Sequence, residues 1–350
     1  MKKLVLPGGD PYGSHRVIAP EGALPQPALK LDNDMSRIWD NEILVDVELL
    51  NVDSASFSQI EDEAGGDRER IARAVMDIVE ERGKLQNPVT GSGGMLVGTV
   101  AALGEALEDA ELEVGERIAS LVSLSLTPLR LEEVLEVRAE VGQLAVKGQA
   151  VIFASGVYAR MPDDLPVTLA LAVFDVCGAP AQVERLAGPG DTLVVLGATG
   201  KSGMLCCSAA RRRVGGSGRV IGLGLLEDHC LRLEALGLCD AVLRADARDA
   251  LACHREISRL TGGRLADLVV NCANLPGTEM ASVLACREGG VVYFFNMATS
   301  FAAAALGAEG VGKDLTMIIG NGYVKGNAEY ALGLLRESQP LRELYTSLYG

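Results

Sequence analysis

A chain of 350 residues has room for two cores, and 47 acidic against 32 basic side chains give it a net charge of −15 that argues against a nucleic-acid or anionic-membrane partner. Hydrophobic residues make up 48% and charged ones 23%, which excludes a disordered chain. Aromatics reach only 4%, so Ala, Leu, Val and Gly must fill the interior, a composition suited to helices on a parallel sheet.

In chain order, residues 1–165 are punctuated by Pro, Gly and Ser. Their apolar runs read as strands of a β-rich domain: NEILVDVELLNVD (41–53), GMLVGTVAALG (94–104), ERIASLVSLSL (116–126) and KGQAVIFASG (147–156). One helix interrupts them over 67–82, where Ile71, Val75, Ile78 and Val79 share a face opposite Glu and Arg. Near Leu165 the texture changes. A helical stretch over 167–176 leads to strands at TLVVLG (192–197), RVIGLG (219–224), AVLRA (241–245), DLVVNC (267–272), GGVVYFFN (289–296) and LTMIIGN (315–321), with helical connections filling the gaps. That alternation predicts an α/β fold with a doubly wound parallel sheet over 166–323.

Lys2-Lys3 is followed by too short an apolar run for a secretion signal, and stretches such as 167–174 are too short to span a bilayer. The expectation is a cytoplasmic protein with no membrane partner. The eight cysteines form no CxxC pair and read as reduced, mostly buried thiols. Of the three histidines (His15, His229 and His254) none has a Cys or His at ligand spacing, so no metal is expected.

The stretch LGATGKSGML (196–205) resembles two phosphate loops at once. A triphosphate loop needs a glycine five residues before Gly200-Lys201-Ser202, and that position is Val195, still inside the strand. No strand here ends in the aspartate that would hold magnesium. As a dinucleotide turn the stretch fits better. Gly197 permits the tight turn, Gly200 lets a pyrophosphate approach, and Gly203 lets the helix pack on the strand, with Thr199, Lys201 and Ser202 as further contacts. Lys201 either adds charge at the phosphate or is a solvated lysine at a helix start. The second strand of an NAD domain usually ends in an acid. Here Gly224 stands at that place and Glu227 follows, either reaching the ribose or capping a helix. No arginine cluster follows immediately, which favours NAD over NADP. Asn271 and Asn296 end the fourth and fifth strands, on the side where ligands dock.

PVTGSGGMLVGTV (88–100), VGERIASLV (114–122), MPDDLP (161–166), AGPGDTLVVLGATGKSG (187–203) and GKDLTMIIGN (312–321) together resemble the medium-chain dehydrogenase/reductase superfamily over most of 40–335. The resemblance implies a GroES-like β-rich catalytic domain (1–165), a Rossmann domain (166–323) and a C-terminal segment (324–350) returning to the catalytic domain. The superfamily's zinc-binding His-Glu would fall at Ser92-Gly93, and its cysteine near 51–53 is missing, so this is a zinc-free member. GSHRVIAPEGALPQPALKLDND (13–34), LNVDSASFSQI (50–60), NPVTGSGGML (87–96), LVSLSLTPL (121–129), YFFNMATSF (293–301) and LGAEGVGKDLTMIIGNGYVKG (306–326) sharpen the match to an amine-oxidising branch, end to end. That branch implies NAD-linked oxidative deamination of a small diamino acid, with release of ammonium and NADH, by a homo-oligomer.

Such chemistry needs a group that takes a proton from the substrate ammonium, since only a neutral amine can drive hydride departure. Asp53 lies on the loop where the superfamily places its first catalytic residues. It reads as base or ammonium anchor, or simply as an Asx turn, with Ser54 and Ser56 as hydrogen-bonding neighbours and Ser92 in the vacated zinc shell. Arg16 is a candidate carboxylate clamp beside His15, or a surface arginine next to a packed loop histidine. Thr90 and Thr127 stand near the same lost shell and either bind the substrate or hold turns. Glu309 and Lys313 flank a Gly-rich segment and are weaker candidates, while His229, His254 and Tyr323 read as structural. The rival enzyme is a zinc-free, NADPH-dependent quinone or enoyl reductase, disfavoured because these loops are polar. A dinucleotide sensor without turnover is the answer from a different class.

Overall fold

The computed structural model describes residues 4–107, 112–320 and 322–350; Lys2, Lys3 and Asn321 lie outside them. The chain divides into two units, Met1–Asp164 and Leu165–Gly350.

The first unit runs β1 (Leu4–Leu6), β2 (Val17–Ala19), β3 (Lys30–Leu31), β4 (Arg37–Trp39), β5 (Glu42–Asn51), α1 (Ser54–Ala64), α2 (Arg68–Arg82), β6 (Met95–Leu103), β7 (Arg117–Ser120), β8 (Leu129–Arg138), β9 (Gln143–Phe153) and β10 (Tyr158–Arg160). Six strands form an antiparallel sheet ordered β10-β7-β6-β5-β9-β8. β5 is paired on both edges along most of its length. Its alternating Ile43, Val45 and Val47 join Leu96, Val100, Leu144 and Ile152 in the core, against Ile71, Val75 and Val79 of α2. Asp67 starts α2 by accepting from the amides of Glu69 and Arg70.

The structure corrects three readings of this half. Residues 54–64, read as loop, form α1: Phe57, Ile60 and Ala64 recur at helical spacing and are buried, and Asp53 caps the helix. The run 116–126 is strand only through Ser120 and then tightens into a 3-10 turn over Leu124–Leu126. β8 was not anticipated, because Glu132, Glu133, Glu136 and Arg138 obscure the alternation of what is an edge strand.

The second unit runs α3 (Val167–Phe174), α4 (Gly178–Leu186), β11 (Thr192–Leu196), α5 (Lys201–Val214), β12 (Arg219–Gly224), α6 (Glu227–Ala235), β13 (Ala241–Arg244), α7 (Ala250–Thr261), β14 (Ala266–Asn271), α8 (Glu279–Ala285), β15 (Cys286–Phe294), α9 (Phe301–Gly310), β16 (Thr316–Ile319), α10 (Asn327–Glu337) and α11 (Gln339–Tyr349). Its sheet is parallel throughout, in the order β13-β12-β11-β14-β15-β16. Strand order reverses between β11 and β14, so the carboxyl ends of those strands form the crevice where doubly wound folds take ligands. Val194, Leu196, Ile221, Leu223, Val269, Val292 and Phe294 fill the interior.

The segment 324–350 groups with the second unit. α10 and α11 each bury an apolar stripe, Ala331, Leu334 and Leu335 in one and Leu341 and Tyr345 in the other. Tyr330 Oη donates to Glu184 at 2.7 Å, and Tyr345 Oη donates to the Lys201 carbonyl. All eight cysteines are free thiols, six of them buried. Burial pushes the Cys177 thiol up to about 12, which makes it a poor nucleophile. Among the described residues no single helix is long and apolar enough to cross a membrane.

Candidate functional site

The glycine turn has the shape of a phosphate cradle. Gly197 sits at φ 70°, a left-handed conformation that glycine adopts freely, and directly follows β11. A Cβ on Gly203 would overlap the Gly197 carbonyl oxygen and Ala198, so only glycine lets α5 approach the strand this closely. At Gly200 a Cβ would meet nothing nearer than 3.6 Å, so the face offered to a ligand is open. No side chain caps the N-terminus of α5, which leaves its first amides and the positive end of its dipole for an anion. The turn therefore fits the pyrophosphate of a dinucleotide. Ser202 is half-buried in the first turn, and the Thr199 methyl lies against the end of β12. Lys201 is ion-paired with Asp175 at 2.7 Å and lies 5.8 Å from the Tyr349 ring centre. Its ammonium is thus already partnered.

At the carboxyl ends of β14 and β15 a buried polar network fixes two loops. Asn271 Nδ2 donates to Thr278 Oγ1 and Ser282 Oγ, both at 2.9 Å, and its Oδ1 accepts from Asn296 Nδ2 at 3.1 Å. Thr299 Oγ1 donates to Asn296 Oδ1 at 3.1 Å, and Glu279 accepts from the Ser300 amide at 2.8 Å. Asn271 and Asn296 bind each other and hold the backbone after each strand in place. Glu227 opens α6 and pairs with Arg244, which ends β13, at 2.6 Å. Lys313 points to the carbonyls of Val283, Leu284 and Cys286 and has a structural role; Glu309 is exposed.

In the first unit four of the expected residues come together. Asp53 Oδ1 accepts from the Ser56 amide at 3.0 Å as the cap of α1. Ser56 is fully buried, and its Oγ lies 2.6 Å from Thr90 Oγ1, which also accepts from the Ser92 amide at 3.3 Å. Asp53 Oδ2 is buried and finds no hydrogen-bond partner among the described residues. A carboxylate oxygen accepts hydrogen bonds, so Oδ2 is left with an unused acceptor position inside the protein. Ser54 is exposed at the first helical position. Among the described residues no three His, Cys, Asp or Glu side chains are grouped so as to hold a metal ion.

Three of the candidate substrate contacts have their polar atoms engaged within the protein. All five N–H donors of Arg16 are occupied: Nε and Nη2 by Glu42 at 2.8 and 2.7 Å, Nη2 also by the Arg37 carbonyl, and Nη1 by the carbonyls of Asp32 and Asp34. The guanidinium also lies 4.6 Å over Trp39, and Arg16 is fully buried. His15 Nε2 meets Glu42 at 2.8 Å while its Nδ1 accepts from the Asp10 amide, so the ring has no free nitrogen. Burial pushes the Glu42 carboxyl up, but hydrogen bonds from Arg16 and His15 outweigh it and hold the group at about 2. Thr127 is buried and donates to the Ser123 carbonyl at 3.0 Å, closing the local 3-10 turn.

The sequence reading missed Asn87, which ties the cluster together. Its Nδ2 donates to the Ser56 carbonyl and to Gln59, and its Oδ1 accepts from the amides of Val89 and Thr90. The signal was the Asn-Pro dipeptide at 87–88, a turn initiator in front of Thr90. Arg244 was also missed, since it lies seventeen positions beyond Glu227 and meets it only through the pairing of adjacent strands.

A sequence profile described as the L-erythro-3,5-diaminohexanoate dehydrogenase N-terminal domain matches residues 15–162. Over 342 residues the chain is 54% identical to a protein of Acetoanaerobium sticklandii and 50% identical to one of Fusobacterium nucleatum, each named L-erythro-3,5-diaminohexanoate dehydrogenase; both matches cover 97% of this chain and 99% of the relative. Among solved structures, the alcohol dehydrogenase TADH from Thermus sp. ATN1 aligns with a TM-score of 0.53 at 19% identity, over 87% of this chain and 86% of that one. A mycobacterial quinone oxidoreductase aligns at 0.51 and 18%, over 89% and 82%. These likenesses show the fold of the medium-chain dehydrogenases and reductases.

Proposed function

Because the chain belongs to the L-erythro-3,5-diaminohexanoate dehydrogenase family, we propose that it oxidises L-erythro-3,5-diaminohexanoate with NAD to 5-amino-3-oxohexanoate, releasing ammonium and NADH, as a step of lysine fermentation. The observation that carries this reading is the end-to-end likeness to two relatives of that name. It leaves the quinone or enoyl reductase without support, since only the fold is shared with reductases.

Gly197, Gly200, Gly203 and the first turn of α5, with Thr199 and Ser202, would hold the pyrophosphate of NAD, which when bound would supply the hydride acceptor. The first unit's residues act on the amine. Asp53 Oδ2 takes a proton from the 3-ammonium, leaving a neutral amine whose lone pair forms the C=N bond as hydride leaves carbon 3. Asp53 Oδ1 stays on the Ser56 amide, so the carboxylate does not rotate during the transfer. The Ser56–Thr90 hydroxyl pair, in which either oxygen can donate, holds the water that adds to the iminium carbon before ammonia departs. Neutral ammonia recovers a proton on release, so one substrate ammonium, one NAD and one water give ketone, ammonium, NADH and a proton.

A homo-oligomer completes the proposal. β16 is one edge of the parallel sheet, and α9, the helix that precedes it in the chain, exposes Phe301 and Leu306, with Met297 also exposed, apolar surface suited to a second copy. Sedimentation of the purified protein tests this, and a monomer at working concentration contradicts it.

Incubating protein, substrate and NAD while following NADH absorbance and ammonium together tests the activity. One ammonium per NADH is expected. No NADH from the diamine, with rapid NADPH consumption on a quinone, would restore the reductase; binding without turnover would make the protein a sensor.

A further inference from the structure

Resting on the NAD reading above, we infer that Glu227 and Arg244 act as one device that decides between NAD and its 2′-phosphorylated form. The place where an NAD domain usually presents its ribose-binding acid is closed here. β12 ends at Gly224, and a Cβ on that residue would come within 2.5 Å of Thr199 Cγ2 and 2.9 Å of Cys230 Sγ. A side chain there would have to displace both neighbours. The acid arrives three residues later, as the first residue of α6, after the exposed Leu225 and Leu226.

Arg244 reaches the same spot from the neighbouring strand. In the β12–β13 ladder Gly224 stands directly opposite Arg244, so the arginine is rooted beside the strand end that lacks a side chain. Its Nη1 donates to Glu227 Oε2 at 2.6 Å. Both side chains are more than 60% exposed, so the pair is not a packing requirement of the core. A solvent-facing pair of this kind contributes little to stability.

Its chemistry suits discrimination. A carboxylate accepts hydrogen bonds from the two hydroxyls of an unmodified ribose and repels a 2′-phosphate. Arg244 alone would do the reverse, since a guanidinium pairs with phosphate oxygens. With Glu227 paired to it, the guanidinium's charge is offset and the diol is the favoured ligand. Removing the Glu227 charge releases Arg244 to a 2′-phosphate.

The test is fluorescence titration with NADH and NADPH of the full-length protein, its E227Q and R244Q variants, and the double variant. E227Q should tighten NADPH by about tenfold and weaken NADH several-fold, the size expected for exchanging one charge-assisted hydrogen bond. The NADPH gain should vanish in the double variant, because it belongs to Arg244. An E227Q protein whose NADPH-to-NADH preference stays within twofold of the parent, or a double variant that keeps the gain, would overturn the inference and leave an ordinary surface ion pair. The parent's own preference judges the NAD reading separately: tighter NADPH than NADH there contradicts NAD, while the shift on going to E227Q still decides the role of the pair.

Discussion

Within the first unit, the cluster around Arg16 and the cluster around Asp53 are both polar and both built around a carboxylate, yet only the first closes on itself. Glu42 accepts from Arg16, from His15 and from the Trp39 amide, and Arg16 has no donor left over. Asp53 has one oxygen on the Ser56 amide and one with no partner among the described residues. A saturated cluster can only hold the chain together. An unsaturated one has a cost that binding a ligand removes. The two clusters thus differ in saturation inside one domain, although their residues look alike in sequence.

The largest effect should come from opening the closed cluster. Arg16→Ala strands a buried Glu42 and should cost about 3–5 kcal/mol. The melting midpoint followed through Trp39, the only tryptophan of the chain, should fall by roughly 10 °C, with turnover per folded molecule kept at low temperature. Loss of turnover without loss of stability would return Arg16 to the substrate. Acid should act next. Glu42 sits at about 2 when folded against an ordinary 4.5, so its contribution is complete above about 4.5 and is lost as pH falls toward about 2. Melting curves across that window should show the loss, and Glu42→Gln should start lower and flatten it. The smallest effect belongs to the open cluster's hydroxyls. Ser56→Ala removes the partner of Thr90 and should slow turnover by about tenfold, the value of one hydrogen bond, with the melting midpoint nearly unchanged.

The fold of the second unit was legible because a parallel sheet buried on both faces writes its strands as apolar runs, and because the glycine turn needs a residue type at each place. Gly197 and Gly203 are glycine for reasons visible in spacing alone. The start of α1 was not legible. Its first turn is Ser, Ala and Ser after a capping Asp, which reads as loop until the burial of Phe57 and Ile60 is seen. Arg16 misled for a physical reason: nothing in Gly-Ser-His-Arg announces that Glu42, twenty-six residues away, will take the guanidinium. Long-range ion pairs leave no local pattern. Asp53 could be ranked from its position, and the structure shows it capping α1 with one oxygen and leaving the other without a partner among the described residues. The end of the chain was read from a resemblance alone, and its own apolar stripes group it with the second unit.

The account depends most on that unmatched oxygen, and Asp53→Asn tests it directly. The amide preserves size and the capping acceptor but cannot take a proton, so turnover of the diamine should fall by about 10²–10⁴-fold. NADH binding and the Trp39-reported melting midpoint should stay close to those of the parent. An Asp53→Asn protein that turns over at a near-normal rate would contradict the assignment of proton transfer to this residue.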